Sequence, residues 1–201
     1  MNNSATTRVI SKIALEYNGK DKGMAIAVAS NFLLSTKPED QYVEMKTVAD
    51  RNQKVKKWAL TGYISPPEEI GKSLSDSELT DIAIEALKKV GVTENNQYRL
   101  DIHNSTKQKH IHFIVNRISI DGRGTVNARD VGKRFGEAVR QVCKERNLKT
   151  DVEIGIEKRA GMLKNLTESV QLTISFDELV SEMKNRGYIV QLSKNEKIGI
   201  S

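Results

Sequence analysis

Blocks of alternating apolar and polar residues, interleaved with blocks of helical spacing, run along the whole chain. Residues 8–17 place Val9, Ile13, Leu15 and Tyr17 on one face and Lys12 and Glu16 on the other, which predicts a strand ending at Asn18-Gly19 with Tyr17 at its tip. Residues 24–34 are apolar enough to be buried and fit either a strand or a helix. Residues 38–52 begin with a proline suited to a first helical turn, and 58–64 read as a strand closed by Ser65-Pro66-Pro67. A helix follows, opened by the capping-box pair Ser75 and Glu78, patterned by Leu79, Ile82, Ala83, Ala86, Leu87 and Val90, and stopped by Gly91.

Residues 98–104 and 110–120 alternate as two strands around a polar loop, with a turn signal at Asp121-Gly122-Arg123-Gly124. This is a hairpin. A basic helix is predicted over 128–147, burying Val131, Phe135, Ala138, Val139 and Val142. Ser175 and Glu178 repeat the capping pattern ahead of a helix to Gly187, a strand at 188–192, a turn and a last strand at 198–200. These elements predict the α/β (α+β) class: a two-layer sandwich with a central antiparallel sheet and helices packed on it. The expected organisation is one domain over 1–201, with 166–201 as a small helix-hairpin extension.

With 201 residues, 38% of them hydrophobic, the chain can bury a full core. No stretch reaches the length of a membrane span, and the first residues lack the apolar core of a signal peptide, so a cytoplasmic protein is expected. One cysteine, Cys143, excludes an internal disulfide and any multi-cysteine metal site. The net charge is +6, and it is concentrated: residues 105–164 hold fourteen Lys and Arg against seven Asp and Glu. A basic region of this kind suits a polyanionic partner, although it is also ordinary solubilising charge.

All three histidines, His103, His110 and His112, fall within ten residues. Residues i and i+2 of a strand share a face, so His110, His112 and Asn116 point one way while Ile111, Phe113 and Val115 point to the core. On the partner strand Arg99, Asp101 and His103 share the polar face. Folding the hairpin brings His103 opposite His110, so three imidazoles converge and leave coordination positions open, as a catalytic metal site needs. A polar sheet face with exposed histidines is the plainer alternative. The residues alone leave the divalent ion open, since imidazole accepts most first-row metals, and Mg²⁺ or Mn²⁺ is the expectation.

Tyr17 in LEYNGK, then YRLDIHN, five further residues and HIHFIVNR together resemble the catalytic domain of a conjugative relaxase, a mobilisation nuclease of the histidine-hydrophobe-histidine endonuclease superfamily. The resemblance runs from about residue 8 to 124. It implies that His103, His110 and His112 hold the metal and that Tyr17 is the nucleophile. It also implies nicking of one DNA strand at a plasmid or mobile-element transfer origin through a 5′-phosphotyrosyl intermediate that can be religated. The implied partners are single-stranded or hairpin origin DNA, accessory mobilisation proteins and a secretion coupling protein. Asp101 and Glu16 are the acidic candidates near the motifs, and no second tyrosine adjoins Tyr17.

Expected phosphate contacts are Lys107 and Lys109 in the hairpin loop, Asn116 on the histidine face, and Arg129, Lys133, Arg134 and Arg140 on the basic helix, where a solvated exterior is the plainer reading. Trp58 is either a base-stacking residue or core. A replication initiator or transposase of the same superfamily would share this chemistry. A non-catalytic nucleic-acid-binding module would need only the basic surface, and a hydrolase using activated water would not need Tyr17.

Overall fold

Strand β5 (His110–Ser119) is the centre of the sheet. In the computed structural model, which describes residues 1–19, 25–104, 108–192 and 198–200, it pairs on one side with β4 (Asn96–His103) and on the other with β3 (Ala59–Ser65). β1 (Asn2–Arg8) joins β3, and β2 (Ile26–Asn31) joins β4, giving a five-stranded sheet of order β1-β3-β5-β4-β2 with every pair antiparallel. The expected α+β sandwich is the fold. The chain divides into two units, Met1–Thr150 and Asp151–Ser201.

The period of two along β5 sorts its side chains between two cores. Ile111, Phe113 and Val115 join Leu100 and Ile102 of β4 against α4 (Asp76–Lys89) and α5 (Val131–Glu145). Ile114 and Ile118 face the other way, against α1 (Lys12–Asn18) and α2 (Pro38–Ala49), where Leu15, Met45 and Trp58 are buried. Phe113 and Phe135 meet with ring centroids 5.0 Å apart, and burying a side chain of this size stabilises the fold by roughly 1.5–3 kcal/mol. Gly62 is demanded by this packing, since a Cβ there would lie 2.0 Å from the Ser4 carbonyl oxygen and 2.5 Å from Phe113.

Local signals explain the helices that match expectation. In α4, Ser75 Oγ accepts from the Glu78 N–H and Glu78 returns the bond to the Ser75 N–H, a complete capping box. Pro38 opens α2, and all five apolar positions expected of α5 are buried. The segment 8–17 is a correction. It is not a strand: the chain leaves β1 at Arg8 and forms α1, so Ile10 and Leu15 are buried while Val9, Ile13 and Tyr17, each four residues apart, are exposed. In a helix residues 13 and 17 share a face and 15 lies opposite, so the period of two at 13, 15 and 17 did not mark one face.

Three elements carried too little pattern to be expected: β1, whose NNSATTR is nearly all polar, the short α3 (Glu68–Ser73), and α6 (Asp151–Leu172). The division at Thr150 precedes the expected extension at 166 because α6 begins the second unit. In that unit Arg186 bridges Glu168 of α6 and Glu182 of α7 (Phe176–Asn185) at 2.6 and 2.8 Å. Strands β6 (Val190–Leu192) and β7 (Ile198–Ile200) pair antiparallel, and the expected turn at 193–197 lies outside the described residues. Among the described residues no helix is long and apolar enough to cross a membrane.

Candidate metal centre

The register of β4 and β5 pairs His103 with His110 and Asp101 with His112. Strand alternation then puts His103, His110 and His112 on one face at the end of the hairpin, with ring centroids 4.4, 5.0 and 5.2 Å apart. One nitrogen from each ring lies within 4.8 Å of the others. A cation with His–metal bonds of about 2.1 Å accepts ligands up to roughly 4.2 Å apart, so small ring rotations close the set. His110 Nδ1 lies 3.0 Å from the Gln108 carbonyl oxygen. Nδ1 therefore donates there, and Nε2 keeps its lone pair for a ligand bond. The three residues fit a metal ion.

Behind the histidines is a buried charge pair. Arg99 Nε lies 2.9 Å from both Asp101 oxygens and its Nη2 lies 2.7 Å from Oδ1, while Nη1 donates to Gln41 Oε1 at 2.8 Å. Asp101 is thus a doubly engaged carboxylate opposite His112, and Gln41 ties the pair to α2. The same guanidinium meets α1: a Cβ on Gly19, the C-cap residue, would lie 2.8 Å from Arg99 Nη2. Tyr17 sits on the last turn of this helix and is 73% exposed. The strand-end position expected for it is wrong, but its helix terminates on the arginine that holds Asp101.

The expected DNA contacts are mostly not gathered at the histidines. Asn116 is fully buried: its amide donates to the Met45 carbonyl and to Gln97 Oε1, and its Oδ1 accepts from the Ile118 N–H. It is a core residue locking α2 to the sheet rather than a phosphate ligand. Lys109 Nζ is spent on the Leu74 carbonyl and Asp76 Oδ1, at 2.9 and 2.8 Å, which pins the hairpin to the start of α4. Lys107 lies outside the described residues. Lys133 and Arg134 lie at the start of α5, and Arg129 in the turn just before it, behind the sheet on the face away from the histidines. Arg129 pairs with Asp130 at 3.7 Å, Lys133 is exposed, and Arg134 donates to the Arg129 and Asn127 carbonyls. Arg117, placed away from the site on sequence grounds, is buried and donates to the Val126 carbonyl. Trp58 is core, against Tyr42.

One feature of the site was missed. A cavity of about 320 Å³ opens beside His110 and His112, lined also by Asn2, Tyr63, Ser65 and Gln108. The period of two over 59–65 already put Thr61, Tyr63 and Ser65 on one face, but the sequence does not reveal that this strand lies next to β5.

The relaxase family model described as MobA/VirD2-like, nuclease domain, matches residues 15–148, about two thirds of the chain. No curated protein matches the sequence significantly. Among solved structures, the conjugative relaxase TrwC in its metal-bound complex with oriT DNA is similar at 11% identity and a TM-score of 0.46, over 100% of this chain and 75% of that one. The metal-free TrwC complex is similar at 14% identity and a TM-score of 0.41, over 99% and 74%. The match of the family model over 15–148, which includes the histidine hairpin, shows that the chain belongs to the MobA/VirD2-like relaxase nuclease-domain family.

Proposed function

We propose that this chain is a metal-dependent relaxase that nicks one DNA strand at a plasmid or mobile-element transfer origin, with Tyr17 as nucleophile. The observation that carries this reading is the convergence of His103, His110 and His112 on one sheet face of a relaxase-family nuclease domain. Three imidazole nitrogens favour a first-row ion such as Mn²⁺ over Mg²⁺. A divalent cation there neutralises charge on a phosphodiester and supplies Lewis-acid stabilisation of its displacement.

The chain's own residues supply the rest. His103, His110 and His112 would hold the cation on the two strands of the hairpin, and Asp101, clamped by Arg99, stands opposite His112 in the register. Tyr17 Oη forms the bond to phosphorus as the P–O3′ bond breaks, losing its proton while the departing oxygen becomes a 3′-hydroxyl. The phosphotyrosyl link conserves the bond's energy, so a 3′-hydroxyl can reverse the step. The exposure of Tyr17 and the anchoring of its helix on Arg99 support this role. On this reading the partners are single-stranded or hairpin origin DNA, accessory mobilisation proteins and a secretion coupling protein.

The test is incubation with a candidate origin oligonucleotide and Mn²⁺ or Mg²⁺, followed by mass spectrometry for a protein–DNA adduct. Wild type is expected to yield an adduct on the peptide containing Tyr17, and Tyr17→Phe to bind DNA and metal without cleavage. Nicking by Tyr17→Phe that leaves a free 5′ end would replace the tyrosine mechanism with water attack.

A further inference from the structure

The exposed side of the edge strand β1 is unusual in its chemistry. Asn2, Ser4, Thr6 and Arg8 alternate along it and are all exposed, while Ala5 turns into the core. A solvated edge strand ordinarily carries lysine and other charges that discourage pairing. Here a single guanidinium follows three small, neutral, hydrogen-bonding side chains.

The register carries this face directly to the histidines. Ser4 pairs with Tyr63, Tyr63 with His112, and His112 with Asp101, so one cross-strand row runs from the sheet edge to the metal centre. At a strand spacing of about 4.8 Å, Ser4 lies roughly 10 Å from His112. Two cavities adjoin along this path. The one beside His110 and His112 is followed by a second of about 180 Å³, lined by Ser4, Thr6, Arg8 and Thr61 among others, and Tyr63 and His112 border both. Among the described residues neither cavity is lined by a carboxylate. The Tyr63 ring is half-buried and tilted 53° to His112, with centroids 6.0 Å apart.

We propose that the exposed face of β1 and β3 is a binding subsite for single-stranded DNA, with Tyr63 as the platform for the base next to the reacting phosphate. The proposal rests on the relaxase reading for the position of that phosphate. Aromatic faces stack on any base, which suits a platform common to both cavities. Hydroxyl, amide and guanidinium groups are donors to phosphate and sugar oxygens, and they place a strand without reading its sequence. The absence of carboxylates keeps the path free of repulsion. None of these residues belongs to the basic helix that charge counting singled out, so the DNA track runs on the histidine face and not behind the sheet.

Fluorescence anisotropy with a labelled thymidine 20-mer in EDTA tests this without metal or chemistry. Tyr63→Ala is expected to weaken binding roughly 5- to 150-fold, with Tyr63→Phe close to wild type. Thr6→Glu, at an exposed position that leaves the core untouched, should weaken binding by placing a carboxylate on the path. Arg8→Gln should lower the salt slope of log affinity by about 0.7. Thermal melts are run alongside. If Tyr63→Ala and Thr6→Glu melt like wild type and bind the oligonucleotide as tightly, or if wild type does not bind it, the subsite is refuted. An adduct at Tyr17 in that case leaves the relaxase reading standing. Weakened binding in Tyr63→Ala together with no adduct in wild type supports the subsite and removes the tyrosine mechanism.

Discussion

Gly19 and Arg99 stand in a contact that admits no larger residue, because a Cβ at position 19 would fall 2.8 Å from the guanidinium Nη2. The guanidinium is held on its other edges by Asp101 and Gln41 and cannot simply turn aside. Gly19→Ala is therefore expected to cost about 1–3 kcal/mol, the usual range for overpacking. Urea denaturation measures it, and an unchanged midpoint would show that the helix end relaxes freely.

Removing one member of the buried pair should be worse than crowding it. Asp101→Ala leaves the Arg99 guanidinium buried without its carboxylate, and breaking such a pair typically costs about 3–5 kcal/mol. Replacing both residues by apolar ones should recover much of the loss. A double variant no more stable than Asp101→Ala would argue against the burial penalty as the cause.

For the metal centre, His112→Ala should keep the fold, because the opposite face of β5 supplies the core through Ile111, Phe113 and Val115. Loss of a ligand should lower Mn²⁺ affinity by more than the roughly 10–100-fold seen when an outer partner is removed. Calorimetry on the purified variant reads this directly, and an affinity equal to wild type would move the metal elsewhere.

Asn116 provides a contrast between structure and DNA contact. Two of its hydrogen bonds join β5 to α2 and to Gln97 and the third is local to β5, and Asn116→Ala would leave the buried Met45 carbonyl and the Gln97 side-chain oxygen short of a donor, at about 1–3 kcal/mol. The variant should melt earlier yet bind the thymidine 20-mer with wild-type affinity once corrected for folded fraction. Reduced affinity with unchanged melting would reinstate it as a DNA contact.

Acid sensitivity has one identified source between α4 and α5. The Arg146 hydrogen bond and charge hold the Glu85 carboxyl below its ordinary range, and Arg146 is held charged in return. Because the folded-state value is the lower one, this contribution is present above the ordinary carboxylate range and fades as pH falls through it. Both side chains are partly exposed, so the effect is small and shrinks with salt. From about pH 7 to about pH 3, Arg146→Gln should lose less stability than wild type, and parallel profiles would discount the pair.

What the chain determined by itself was local and periodic. The period of two in 98–103 and 110–116 was enough to put three histidines on one side of a hairpin and His103 opposite His110, because strand geometry leaves no other arrangement for that pattern. The capping box at Ser75 and Glu78 and the apolar stripe of α5 likewise carry their own start and face. Partner choice between distant segments was decided only in three dimensions. Which strand lies beside β5, that polar β1 completes the sheet, and that 12–18 coils into a helix all depend on surfaces contributed by residues far away in sequence. Burial changed the meaning of single residues in the same way. Asn116 and Lys109 carry donors suited to phosphate, but folding surrounded them with acceptors of the protein's own, and a buried donor takes the partner that packing puts within reach.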